Sequence, residues 1–164
     1  MVKIALNLTA EVENIVELYT SPEYEWNLKL RCTSCNEADD KWHAINPDEE
    51  VQGKGGPGSF NYQMKCKFCT NVSTIDIVKD SIKHITAKEN GMIENQTIAV
   101  FDCRGVEPVA FDPQSDWIAK SEGGYTFESV DFGEDENGDA WFGYDDSAKV
   151  SVSVTDLKGS FERV

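Results

Sequence analysis

Along most of the chain, apolar residues recur at every second position. Val2, Ile4, Leu6 and Leu8 alternate with polar or small residues, the pattern of a strand with one face on a core and the other toward water. Trp26, Leu28 and Leu30 repeat it and run directly into Cys32, while Phe60, Tyr62 and Met64 run into Cys66. Ile75 and Ile77 follow the second cysteine pair, and Val150, Val152 and Val154 mark a late strand. Residues 98–103 differ. Ile98 and Val100 would face one way and Ala99, Phe101 and Cys103 the other, so both faces are apolar and a central, doubly covered strand is expected. Between 11 and 19, Val12, Ile15, Val16 and Tyr19 fall at helical spacing. A short amphipathic helix and a kinked strand fit this stretch equally well. Elsewhere short strands punctuated by Gly, Pro, Asn and Asp predict an all-β fold, a β-sandwich or partly closed barrel.

Punctuation and charge organise the rest. Gly53-Lys54-Gly55-Gly56-Pro57-Gly58 is expected to be a flexible loop. Residues 112–146 carry eleven Asp and Glu against Lys120 alone. With 15 basic and 30 acidic residues the net charge is −15, which repels a phosphate backbone and makes nucleic acid a poor partner. A basic protein partner fits the acidic stretch better, although such a stretch also serves simply to keep a protein soluble. No apolar run approaches the ~20 residues of a membrane helix, and the first residues are too polar for a signal peptide. The 164 residues are read as one β domain (1–164), long enough to bury about two-thirds of its unfolded surface.

The five cysteines carry the chemistry: Cys32, Cys35, Cys66, Cys69 and Cys103. An odd count argues against a secreted disulfide framework and for the cytoplasm, with the nucleus as a second compartment. The Asn-x-Ser/Thr matches at Asn7, Asn71 and Asn95 are then chance. Cys32-Thr33-Ser34-Cys35 and Cys66-Lys67-Phe68-Cys69 are separated by 30 residues, and each ends an alternating strand. Two residues between cysteines let both sulfurs converge on one ion from a tight turn, and four thiolates complete a tetrahedron. Soft ligands in a closed shell favour zinc over iron. A structural Zn2+, one per chain, is therefore expected at Cys32, Cys35, Cys66 and Cys69, within a knuckle region of about 26–78. A closed four-thiolate shell leaves no position for a catalytic water.

Other motifs fail. The glycine-rich stretch lacks the Gly-Lys-Ser/Thr ending of a P-loop. The acidic run from Gly133 breaks the calcium-loop pattern, since its first position is Gly133 and its twelfth Tyr144. With only His43 and His84 present, no catalytic triad can be assigned, and no catalytic residue is expected. His43 is read as a surface histidine rather than a group supporting the metal, and His84 as an ordinary strand residue. A dithiol oxidoreductase would place a pair at a helix N-terminus, and neither pair precedes a clear helix.

Several landmarks resemble the eukaryotic CXXC-motif-containing zinc-binding proteins. These are Lys3-Ile4-Ala5-Leu6, the strand from Trp26, Asp40-Lys41-Trp42, Lys54-Gly55-Gly56-Pro57-Gly58-Ser59, and Cys103-Arg104-Gly105-Val106-Glu107-Pro108. They extend to about Pro113; beyond it only Asp145 and the final strand match well. The resemblance implies an all-β protein with its zinc at one end, held by the same four cysteines, and brings no enzymatic activity with it. Cys103 aligns with the family's lone cysteine and is read as a buried, inert thiol. Arg104 and Glu107 flank a structural turn attributed to Gly105 and Pro108, and are placed to pair there. The function expected is a non-enzymatic module that binds another protein. A zinc carrier and, less favoured, a thiol oxidoreductase are the alternatives.

Overall fold

A computed structural model of the chain describes residues 2–52 and 58–164. Most of the glycine-rich stretch, 53–57, lies outside the described residues. In chain order the strands are β1 (Val2–Glu13), β2 (Ile15–Thr20), β3 (Trp26–Cys32), β4 (His43–Ile45), β5 (Val51–Gln52), β6 (Ser59–Phe60), β7 (Tyr62–Lys65) and β8 (Val72–Ile77). They continue as β9 (Ile85–Thr86), β10 (Met92–Arg104), β11 (Val106–Asp112), β12 (Trp117–Ser121), β13 (Thr126–Val130), β14 (Trp141–Asp145) and β15 (Val150–Arg163). Two single-turn 3-10 segments are the only helical elements among the described residues. The all-β expectation holds.

The largest sheet has the order β14-β15-β1-β10-β8-β7 and curls into a half-barrel. Its three longest strands are antiparallel neighbours with register shifts at Leu6/Asn7, Leu8/Ala10 and Thr9/Glu11. Such bulges bend a strand and increase its twist, which is how long strands come to wrap rather than lie flat. Two smaller sheets, β11-β3-β4 and β13-β12-β2-β9, accompany it, and β5 and β6 form a short ribbon.

Wrapping changes the burial of β1. Its alternation predicts one wet face, yet Ile4, Ala5, Leu6, Asn7 and Leu8 are all buried. The buried Asn7 is satisfied: its Nδ2 donates to Glu162 at 3.1 Å and its Oδ1 accepts from Thr97 Oγ1 at 2.5 Å. β10 follows its expectation, with Ile98, Ala99, Phe101 and Cys103 buried and Val100 half-buried. The open alternative at 11–19 resolves to a kinked strand. Asn14 takes φ 54° between β1 and β2, a left-handed conformation that asparagine tolerates better than most residues. Its Nδ2 also donates to Ser151 O at 2.9 Å. The bend passes the chain from the six-stranded sheet to the four-stranded one.

Aromatic residues fill the space between the sheets. Trp26 meets Tyr24 and Phe101 edge-on at 4.8 and 5.9 Å, and Trp117 meets Phe132 edge-on at 5.5 Å. Such geometries add about 0.5–1.5 kcal/mol per pair beyond area burial. The polar ends of Tyr24 and Trp117 both donate to the Pro113 carbonyl, at 2.6 and 2.8 Å, so neither is buried unsatisfied.

The acidic region is built from β12, β13 and β14 with polar turns between them. One of its carboxylates is not a surface charge. Asp145 is fully buried and accepts from Ser121 Oγ at 2.7 Å, Ser147 N at 3.0 Å and Ala148 N at 3.1 Å. Led by the Ser121 hydroxyl and the Ala148 N–H, these donors hold its pKa below the ordinary aspartate value. Its stabilising contribution is therefore complete above the unfolded pKa of about 4 and is lost as pH falls through the lower folded value. Thermal melts of the native chain and Asp145→Asn should differ by a constant gap near neutrality that narrows below about pH 4. A gap independent of pH would show that the carboxylate's charge contributes nothing.

Candidate metal centre

The two cysteine pairs are near-identical turns at the ends of strands from different sheets. Cys32 closes β3 in the three-stranded sheet, and Cys66 follows β7, the edge of the six-stranded one. In the first turn, Cys32 N donates to Glu37 O at 3.0 Å and Asn36 N donates to Cys32 O at 2.9 Å. In the second, Cys66 N donates to Asn71 O at 2.8 Å and Thr70 N donates to Cys66 O at 2.9 Å. The fourth residue after the leading cysteine is left-handed in both, Asn36 at φ 63° and Thr70 at φ 66°. This shared geometry turns each chain back on itself and aims both sulfurs of a pair to one side.

The result is a cluster in which all four sulfurs lie within 4.8 Å of one another. Cys32 Sγ is 3.6 Å from Cys69 Sγ, and Cys35 Sγ is 3.7 Å from Cys66 Sγ. A tetrahedron with Zn–S bonds of about 2.3 Å has an edge of about 3.8 Å, so the sulfurs are spaced for one zinc and well beyond the ~2.05 Å of a disulfide. Cys32 and Cys66 are buried, whereas Cys35 and Cys69 are half-buried.

Electrostatics separates the sulfurs the same way. The Cys35 and Ser34 N–H groups act on Cys32 and, against burial, bring its pKa down to about 7. Cys69 and Phe68 N–H groups lower Cys66 likewise. Cys35 also has a backbone donor, Glu37 N–H, but partial burial and the other three sulfurs outweigh it and push its pKa up to about 12. Cys69 has the Asn71 N–H as its donor, but burial and the Cys32 and Cys66 sulfurs outweigh it and move its pKa up as well. Without a cation the cluster resists holding more than part of its thiolate charge; a divalent ion removes that resistance.

Behind the turns, one carbonyl ties both together. Gly105 O accepts from Thr33 N at 3.1 Å and from Ser73 Oγ at 3.0 Å. Gly105 sits at φ 78°, where the chain leaves β10 for β11 and so changes sheet. A Cβ there would stand 2.9 Å from Ser73 Oγ. The turn expected around Gly105 is thus present, but Pro108 lies within β11, opposite Leu30, and takes no part in it.

Three other expectations need correction. His43 is no surface residue: its side chain is 11% exposed, and Nδ1 lies 2.6 Å from Tyr62 Oη. Its Nε2 faces Asp39 Oδ2 at 3.4 Å without an aligned hydrogen bond. Asp39 Oδ1 in turn accepts from Lys41 N at 3.1 Å and faces Lys67 Nζ at 3.4 Å. The Lys41 N–H foremost, then Lys67, lower the Asp39 pKa. This chain of groups links the segment after the first pair to the interior of the second. Nothing in the run Asp39-Asp40-Lys41 marks Asp39 as the carboxylate that turns inward. Secondly, Glu107 pairs with Arg31, its cross-strand neighbour, and with Arg163 at 3.8 Å, not with Arg104. Arg104 belongs to β10 and a different sheet. Thirdly, His84 precedes β9 rather than lying in a strand, stacks on Tyr19 at 3.7 Å and bonds to Glu17. Cys103 meets its expectation; burial pushes its pKa to about 12, out of the reactive range.

An all-β scaffold carrying a four-cysteine cluster defines a class of CXXC zinc-site proteins, and comparison with known proteins narrows it. The model of the family described as CXXC motif containing zinc binding protein, eukaryotic, matches residues 5–162. The UPF0587 protein CG4646 of Drosophila melanogaster is 41% identical over 164 residues, covering 98% of this chain and 97% of its own. The human CXXC motif containing zinc binding protein is 38% identical, with 98% of each chain covered. The crystal structure of C1orf123 superposes with a TM-score of 0.88 at 36% identity, over 99% of both chains. A hypothetical protein from Plasmodium falciparum shares the fold, with a TM-score of 0.83 at 21% identity over 99% of this chain and 100% of that one. The chain belongs to the family of eukaryotic CXXC-motif-containing zinc-binding proteins.

Gly105→Ala tests the shared carbonyl. The left-handed backbone costs a non-glycine residue about 1–2 kcal/mol, and displacing Ser73 forfeits about 1 kcal/mol more. Chemical denaturation should show a loss of about 2–3 kcal/mol, and zinc should exchange faster than in the native chain. Native stability would mean that the two turns are held without it.

Proposed function

We propose that the protein is a non-enzymatic, protein-binding module whose structure is locked by one zinc ion on Cys32, Cys35, Cys66 and Cys69. The observation that carries this reading is the spacing of the sulfurs, 3.6 and 3.7 Å across the two pairs. Four thiolates fill a zinc ion's preferred coordination and leave no position for substrate or activated water, as in structural sites. The zinc would supply cohesion: it would join the ends of β3 and β7, which belong to different sheets and do not pair with each other. The excess of acidic residues in 112–146 supports a basic protein partner and disfavours nucleic acid. The pairing of reduced cysteines with a zinc site fits the cytoplasm.

A second reading, that the zinc is cargo, is favoured by one feature. Cys35 and Cys69 are half-buried while their partners are buried, so each pair presents one sulfur from which an acceptor could begin ligand exchange. Thiol oxidoreductase chemistry ranks third, because both pairs lie in strand-end turns rather than at a helix N-terminus.

Metal analysis of the purified chain should find one zinc per chain, lost only slowly to a weak competing chelator. Release to such a competitor within minutes would favour the cargo reading. Zinc at four-thiolate sites is worth on the order of 10 kcal/mol, so a strong chelator or Cys66→Ser should abolish the order of the metal end and lower thermal stability. Unchanged stability after verified zinc removal would refute the locking role. The zinc-loaded chain should not reduce an insulin disulfide; turnover would place the protein among the oxidoreductases.

A further inference from the structure

The chain has only three arginines among its 164 residues, Arg31, Arg104 and Arg163. They are far apart in sequence, yet all come to one place. Glu107 pairs with Arg31 and with Arg163, and Arg104 and Arg163 line the same pocket as Glu107. In a protein of net charge −15, a random surface patch is acidic, so this end runs against the field of the rest. The pocket has a volume of about 200 Å3 and lies between the start of β1, the turn at Gly105 and the end of β15. Val2, Ile4, Cys103 and Val106 give it an apolar wall, of which Ile4, Cys103 and Val106 are buried.

We propose that this pocket binds a carboxylate carried beside an aliphatic side chain, as in an acidic segment or the C-terminal residue of a protein partner. The aliphatic group would lie on Val2 and Ile4. The carboxylate would meet Arg104, which is exposed and has no ion-pair partner among the described residues, with Arg163 lining the same pocket. A planar guanidinium matches a carboxylate with two parallel donors, which a lysine does not. Glu107, which also lines the pocket, faces Arg163 at 3.8 Å and, being negative, disfavours a doubly charged phosphate more than a single carboxylate. The volume is below the ~300–1,000 Å3 of pockets for drug-sized ligands, so it accepts about one residue. Thr33, between the cysteines of the first pair, forms part of the wall, so the pocket adjoins the metal centre. The inference goes beyond the module reading and stands whether the zinc is fixed or transferred.

The test uses the full zinc-loaded chain and fluorescein-labelled hexapeptides of glycine and serine. One ends in valine with a free carboxylate, a second is its amide, and a third is an amide with aspartate before the valine. Fluorescence anisotropy should give saturable binding of the first or third, and which of them binds tells a terminal carboxylate from a side-chain one. Amidation of the better binder's carboxylate should weaken it about tenfold or more, as should Arg104→Gln or Arg163→Gln. Both substitutions lie on exposed side chains, so melting temperature and zinc content should remain native, which separates loss of the pocket from loss of the metal-locked fold. Equal binding by the neutral amide, binding indifferent to Arg104, displacement by equimolar inorganic phosphate, or no saturable binding would overturn the proposal.

Discussion

Four cysteine sulfurs within 4.8 Å of one another impose the constraint on which this end of the molecule depends. Thiolates so close repel one another, and thiols so arranged satisfy little of each other's bonding capacity. The arrangement is favourable only when a soft divalent cation replaces repulsion with four bonds. Each sulfur pair is presented by a turn at a strand end, and the strands belong to different sheets. A metal bound here would therefore bridge the three-stranded and six-stranded sheets where their strands run out.

The scaffold prepares for this from behind. Two of the chain's crossings between sheets occur at single residues that accept a left-handed backbone, Asn14 and Gly105. At Gly105 the crossing also presents a carbonyl that accepts from Thr33 in the first cysteine turn and from Ser73 in β8, the strand that follows the second. The chain of Tyr62, His43, Asp39 and Lys67 braces the flank. Polar contacts of this kind contribute about 0.5–1.5 kcal/mol each, far less than the ~10 kcal/mol of zinc at a four-thiolate site. Their role is geometric, because they hold the turns near the spacing an ion needs.

Charge is distributed with the same division of labour. Acidic residues crowd the turns of β12, β13 and β14, far in sequence from the cysteines, while Asp145 alone among them is drawn inside to organise a turn. The three arginines gather beside the Gly105 crossing. The molecule thus presents an acidic expanse and a small arginine-lined end next to the cysteine cluster.

Local pattern was enough to announce the all-β class, the four clustered cysteines and the strands of clear alternation, such as β1, β3, β8 and β15, but not the shorter ones such as β4, β9, β12 and β13. Alternation registers which residues leave water, and the Cys-x-x-Cys spacing is itself the geometry of a metal-binding turn. Doubly apolar residues 98–103 even marked a covered central strand. Other features rest on contacts between residues distant in sequence, which no local pattern encodes. Wrapping of the long sheet buried both faces of β1, where alternation implied one. His43 turned inward because Tyr62 and Asp39 are brought to it from other segments. Glu107 paired with Arg31, its neighbour across the β3–β11 ladder, rather than with nearby Arg104, since the chain changes sheet between them. Composition counts charges without saying which will meet, so the burial of Asp145 and the convergence of Arg31, Arg104 and Arg163 were decided only when the tertiary structure closed.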